Sequence, residues 1–269
     1  MNYIKLNNDL EMPLVGLGTW NLNGQECKDT VSSALKLGYR LIDTAQMYGN
    51  EKEVGMAIKE SGIDRSQIFL TTKIYRISNS YEKAKQAIEL SLNNLQVDYI
   101  DLLLLHEPYH QGPQMYQALQ EAYQQGKVKA IGISNYDEKW YQEFLTTCKI
   151  IPMVNQLECH VYFQKHQFQQ LMLSKGTIMQ AWAPLGQGID NITSHPILVE
   201  IGKKYQKTAA QIALKFLVQR GISVIPKSKH LERLKENIDI FDFVLSDEDI
   251  NQIKSLDRND TFFPWTKGF

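Results

Sequence analysis

The chain has 269 residues, 43% of them hydrophobic, enough to bury a sizeable core, and one domain is expected over residues 1–269. Its formal net charge of −1 gives no field that would draw it to nucleic acid or an acidic membrane surface, and no stretch approaches the roughly 20 apolar residues that span a bilayer. Cys27, Cys148 and Cys159 are widely spaced and form neither a disulfide framework nor a metal motif, so the expected setting is a reducing cytoplasm with no bound metal.

A hairpin is predicted over residues 3–12, turning at Asn7-Asn8. Short apolar runs then alternate with helical patterns. The strands are predicted at 14–19, 40–44, 68–74, 100–105, 128–133, 153–157, 177–183 and 222–226, each followed by a helix. Ala84, Ile88, Leu92 and Leu95 share one helical face, and Asn50-x-x-Glu53 and Thr208-x-x-Gln211 read as capping boxes. Gly38, Gly62 and Gly221 stand where helices should stop. Strand and helix alternating in this way requires parallel strands with right-handed crossovers. The predicted fold is α/β, a (β/α)8 TIM barrel with an N-terminal β-hairpin. A doubly wound open sheet would give the same alternation, and periodicity separates the two only weakly. Residues 186–195 carry no pattern and read as a mobile loop over a ligand.

Asp43, Tyr48, Lys73 and His106 fall at or just past the C-terminal ends of the second, third and fourth predicted strands, where a barrel collects its catalytic groups. Singly, each has an ordinary reading as a cap, a packing ring or a structural histidine. Together they suit the delivery of a proton to a carbonyl oxygen while a hydride reaches its carbon. Tyr48 would give the proton if its pKa fell from about 10. Lys73 would lower it, Asp43 would hold Lys73 charged, and His106 would orient the substrate oxygen.

Several motifs then converge: Val-Gly-Leu-Gly-Thr-Trp (15–20), Leu-Ile-Asp-Thr-Ala-Gln-Met-Tyr-Gly-Asn-Glu (41–51), Leu-Leu-His (104–106), Gly-Ile-Ser-Asn-Tyr (132–136), Asn-Gln-Leu-Glu (155–158) and Ile-Pro-Lys-Ser (225–228). Over nearly its full length the chain resembles the aldo-keto reductase family, in particular its short bacterial members. The resemblance implies a barrel that binds NADPH without a Rossmann domain, with Asp43, Tyr48, Lys73 and His106 as a catalytic tetrad. Gly16-x-Gly18 and Gly186-x-Gly188 lack the third glycine of a dinucleotide fingerprint and read as tight turns.

By the same resemblance, Gly18 and Thr19 border the cofactor, and Ser134, Asn135 and Gln156 would bond the nicotinamide carboxamide. Trp182 would lie flat against the nicotinamide, while Leu185 and Gln187 would touch the pyrophosphate. Lys227, Ser228 and Arg233 would cradle a 2′-phosphate, favouring NADPH over NADH, and Glu236 and Asn237 would meet the adenine. Trp20, Tyr48 and His106 would wall the substrate pocket. Glu107 replaces an aromatic residue common there with a potential anion, which faces either substrate or solvent. Segments 110–114 and 261–269 would frame the mouth. The implied activity is NADPH-dependent reduction of aldehydes and small ketones or diketones by a cytoplasmic monomer. The alternative is an NADP(H)-binding sensor or regulatory subunit on the same scaffold.

Overall fold

The computed structural model describes residues 2–268. Strands β1 (Tyr3–Lys5) and β2 (Glu11–Pro13) pair antiparallel, and Leu6 N–H donates to Leu10 O at 2.9 Å across the turn. Asn7 and Asn8 extend their side-chain amides to the carbonyls of Gly176 and Lys129. Both carbonyls lie just ahead of barrel strands, so the hairpin covers the N-terminal mouth.

Eight parallel strands follow in sequence order: β3 (Leu17–Gly18), β4 (Leu41–Asp43), β5 (Phe69–Ile74), β6 (Leu102–Leu105), β7 (Ile131–Ser134), β8 (Val154–Glu158), β9 (Ile178–Trp182) and β10 (Ser223–Val224). The ring closes where Val224 N–H donates to Leu14 O at 2.8 Å and Gly16 N–H donates to Val224 O at 2.9 Å. That closure selects the barrel over the open sheet. The strands are shorter than predicted at their starts. Val15 and Val224, like Ile100 and Val128, meet only as single bridges, as tilted strands do at a barrel rim. All four leucines of β6 are buried, which explains a continuous apolar run in a strand covered on both faces.

Helices α1 (Gly24–Lys36), α2 (Glu51–Glu60), α3 (Tyr81–Leu95), α4 (Gly112–Gln124), α5 (Glu138–Leu145) and α6 (His166–Ser174) follow β3 to β8 one by one. Beyond β9 the predicted one-to-one alternation gives way. α7 (Pro196–Tyr205) and α8 (Ala209–Gln219) precede β10, and α9 (Leu231–Ile238) and α10 (Asp247–Lys254) follow it. α8 packs on β10 and is buried nearly all round, whereas α7 and α10 pack on each other. None of the described helices is long and apolar enough to cross a membrane.

Three local expectations change. Thr208 caps α8 in a reciprocal box with Gln211, as predicted, but the Asn50 side chain caps nothing and turns into the core. Gly16 and Gly18 are not turn residues. They sit where the ring closes, and a Cβ on Gly18 would lie 2.7 Å from the Ile225 carbonyl oxygen. The segment read as a loop over residues 186–195 forms short 3-10 turns over 186–194 around a non-helical run, Gln187 to Asn191, with Ile192 buried beneath. Gly186 and Gly188 there do adopt positive φ, as turns require.

Candidate active site

Tyr48 is delivered by a short, tethered connection. After β4 the chain makes one 3-10 turn, Gln46–Tyr48, which Gly49 ends in the left-handed region at φ 68°. Asn50, fully buried, ties this turn to its surroundings. Its Nδ2 donates to Thr19 O at 3.0 Å and Leu22 O at 2.9 Å, and its Oδ1 accepts from the Thr44 hydroxyl at 2.6 Å. Glu51, also buried, accepts hydrogen bonds from Thr72, Ser91 and Asn94, which locks α2 to β5 and α3.

At the barrel's C-terminal end, Lys73 Nζ donates to Asp43 Oδ1 at 2.6 Å, to Thr44 O at 3.0 Å and to the Tyr48 hydroxyl at 3.4 Å. Lys73 has no exposed surface. Burial alone would pull its pKa down, yet the Asp43 carboxylate and the Tyr48 oxygen push it above its ordinary value, so it stays an ammonium. For Tyr48, burial pushes the phenol up, and the Lys73 ammonium pulls against it. This corrects the expectation of a net fall: the phenol stays protonated, while Lys73 lessens the cost of its anion. His106 lies edge-on to Tyr48, ring centroids 5.6 Å apart, and Trp20 flanks the tyrosine from another side at 5.0 Å. Burial, helped by Lys73, pushes the His106 imidazole down to about 3, so it is neutral at physiological pH, and its Nδ1 is buried without a partner.

Behind Asp43 runs a polar chain that the sequence did not announce. Gln156 Nε2 donates to Asp43 Oδ2 and to Gln180 Oε1, both at 2.7 Å. Gln180 continues to the Ser223 hydroxyl at 3.2 Å, which donates to Pro13 O. Both hydrogens of the Gln156 amide are thus committed, leaving only its carbonyl oxygen for a ligand. Asn135, at φ 64°, donates to His106 O at 3.1 Å and accepts from Trp182 Nε1 at 2.9 Å, so one side chain joins the histidine to the indole.

The Aldo/keto reductase family model matches residues 14–258. The chain belongs to the aldo/keto reductase family. It is 41% identical to a glyoxal reductase of Bacillus subtilis, over 97% of this chain and 95% of that one. It is 39% identical to a 9,11-endoperoxide prostaglandin H2 reductase of Trypanosoma cruzi, over 98% and 96%. Among solved structures, an aldo-keto reductase from a deep-sea metagenome library superposes with a TM-score of 0.95 at 43% identity, covering 97% of each chain. The aldose reductase of Schistosoma japonicum gives 0.94 at 32% identity, over 100% of this chain and 97% of that one. The protein is therefore an oxidoreductase of carbonyl-reducing type, and its (β/α)8 barrel is the one these relatives share.

Within this aldo/keto reductase, the residues expected around a dinucleotide divide in two. The Thr19 and Ser134 hydroxyls are turned inward, onto Asp43 O and Gln156 O. Gly18 stands beside Lys227 at the ring closure, and the buried Ser228 hydroxyl accepts from His230 N–H. Lys227 and Arg233 are exposed and enter no ion pair among the described residues. Their neighbours Lys229 and Lys235 are paired, with Glu26 and Glu232. Glu236 accepts from the Thr208 hydroxyl, Asn237 is buried, Leu185 is half-buried and Gln187 is exposed. Trp182 is covered by the C-terminal segment, with Phe263 5.0 Å away and Trp265 stacked at 5.8 Å. Of the substrate walls, Trp20 is 48% exposed at the mouth and Glu107 is half-buried. The mouth segment predicted to end at Phe269 has that residue outside the described part.

Proposed function

We propose that this aldo/keto reductase uses NADPH to reduce aldehydes and small ketones or diketones to alcohols, with Tyr48 as the general acid. One observation carries the reading: a fully buried ammonium, Lys73, holds the Asp43 carboxylate and the Tyr48 hydroxyl at once. The residues present suit such a cofactor. Lys227 and Arg233 offer two uncommitted cations for a 2′-phosphate, and Asn135 and the Gln156 carbonyl border the barrel mouth. When bound, the nicotinamide supplies the hydride.

The chain's own residues do the rest. Neutral His106 donates a hydrogen bond to the substrate oxygen through Nε2, and Tyr48 O–H aims at the same oxygen. As negative charge grows there, the Tyr48 proton moves to it. The tyrosinate left behind is stabilised by Lys73, whose charge Asp43 and Gln156 hold in place. The partially exposed Trp20 walls the pocket with an apolar face. A cytoplasmic monomer taking only small molecules as partners fits this role.

The test is loss of NADPH absorbance with a panel of aldehydes and diketones. Tyr48→Phe should lower kcat by orders of magnitude with NADPH affinity nearly unchanged. Near-normal turnover in that variant would sink Tyr48 as the acid. Tight NADPH binding with no carbonyl reduced would favour the sensor reading instead.

A further inference from the structure

Residues 258–267 cross the C-terminal ends of β8 and β9 as a strap. Its start is fastened by Arg258, whose N–H donates to Tyr162 O at 2.9 Å and whose guanidinium lies 4.0 Å over the Tyr162 ring. The same guanidinium pairs with Asp190 of segment 186–194. Farther along, one buried side chain holds the strap. Glu158 Oε1 accepts from Phe262 N–H at 2.9 Å, and its Oε2 accepts from the Thr261 hydroxyl. Phe262 stacks on His160 at 4.4 Å and 21°, and His160 Nε2 meets Glu158 Oε1 at 2.9 Å.

Glu158 is the ladder partner of Trp182, so this latch and the indole are neighbours by register. Past the latch, Phe263 reaches Trp182, and Trp265 stacks on it with an interplanar angle of 15°. A cavity of about 260 Å³, lined by Asn135, Leu157, Lys165 and Thr266 among others, lies between the strap and the strand ends. Trp265 itself is 52% exposed.

We propose that Trp265 is an internal occupant of the nicotinamide-stacking surface, which the dinucleotide ring must displace, and that Glu158 is the positioning residue that returns the strap. This rests on the reading above that Trp182 carries the nicotinamide. A tethered indole stacked on Trp182 holds that ring by the same kind of contact a nicotinamide would make, so the two compete for it. Cofactor then binds only the fraction of molecules with the strap open, so its apparent affinity falls by that fraction.

Stopped-flow binding, followed by enhancement of NADPH fluorescence, tests this on the full chain. Wild type should show a slow phase whose rate levels off with NADPH concentration. Trp265→Ala should remove that phase and tighten binding roughly threefold to tenfold. Trp265→Phe, which keeps a stacking ring, should retain the phase. Glu158→Gln should speed it, as should Thr261→Val, which leaves the buried carboxylate in place. Both should increase hydrogen exchange across residues 258–267 without cofactor. Unchanged or weaker binding by Trp265→Ala, with unchanged kinetics, would overturn the strap alone. Failure of every variant and of wild type to bind either NADPH or NADH would overturn the cofactor reading and the strap with it.

Discussion

The imidazole of His106 is held far from its ordinary titration range. Its folded pKa of about 3 lies below the 6.5 or so of an unfolded histidine, so the unfolded chain takes up the proton first. The stability gained by keeping it neutral is whole above about pH 6.5 and is lost as pH falls towards 3. Urea midpoints at pH 7.5 and 4.5 should therefore separate more in wild type than in His106→Gln. In turnover, kcat/KM should show no limb from this group between pH 5 and 8, because a neutral donor is present throughout. A limb near pH 6 that disappears in His106→Gln would contradict a neutral His106. The four residues of the site were legible because each stands near or just past the C-terminal end of a short apolar run. The protonation states were not, because burial comes from partners remote in sequence. Burial is what keeps Tyr48 protonated against the pull of Lys73.

At the scale of elements, Asn50 and Thr208 show what spacing carries and what it does not. Both stand three residues before Glu or Gln, the signature of a capping box. Thr208 makes the box with its own helix, so a local pattern sufficed. Asn50 instead bonds Thr19 O, Leu22 O and Thr44 Oγ1, and its first two partners come from the end of β3 and the loop beyond. No window of sequence around Asn50 contains them. Gln156 is similar, since its partner Asp43 is 113 residues away. The two caps should therefore fail differently. Thr208→Ala removes one helix cap and should cost about 1 kcal/mol with turnover preserved. Asn50→Ala strips Leu22 O of its donor, Thr19 O of one of its two donors and the Thr44 hydroxyl of its acceptor, and should cost on the order of 3 kcal/mol. Because it frees the turn that carries Tyr48, it should also lower kcat. Urea unfolding and steady-state rates on both variants measure this, and equal losses in the two would refute the tether.

Over the whole molecule, the closed ring puts every strand's C-terminal end on one face, and the hairpin seals the other. The alternation of strand and helix made that face predictable. The closure itself, at Leu14, Gly16 and Val224, joins the two ends of the barrel and appears only in three dimensions. The same closure brings Lys227, just past β10, beside Gly18 on β3, so the proposed phosphate cradle lies at the seam. Lys227 and Arg233 are both exposed, which makes their attraction to a phosphate modest in high dielectric and sensitive to salt. A ligand at 100 times its Kd stabilises a folded chain by about 2.7 kcal/mol, which for a protein of this size raises Tm by roughly 5–10 °C. NADPH at that concentration should give such a rise. NADH at the same concentration should give a clearly smaller one, since it lacks the 2′-phosphate that Lys227 and Arg233 would meet. Replacing both residues by Met should bring the two shifts together, and added salt should do so in part. Thermal unfolding with each dinucleotide, in wild type and in the double variant, separates the possibilities. Equal shifts by NADPH and NADH in wild type would show that the seam does not read the phosphate.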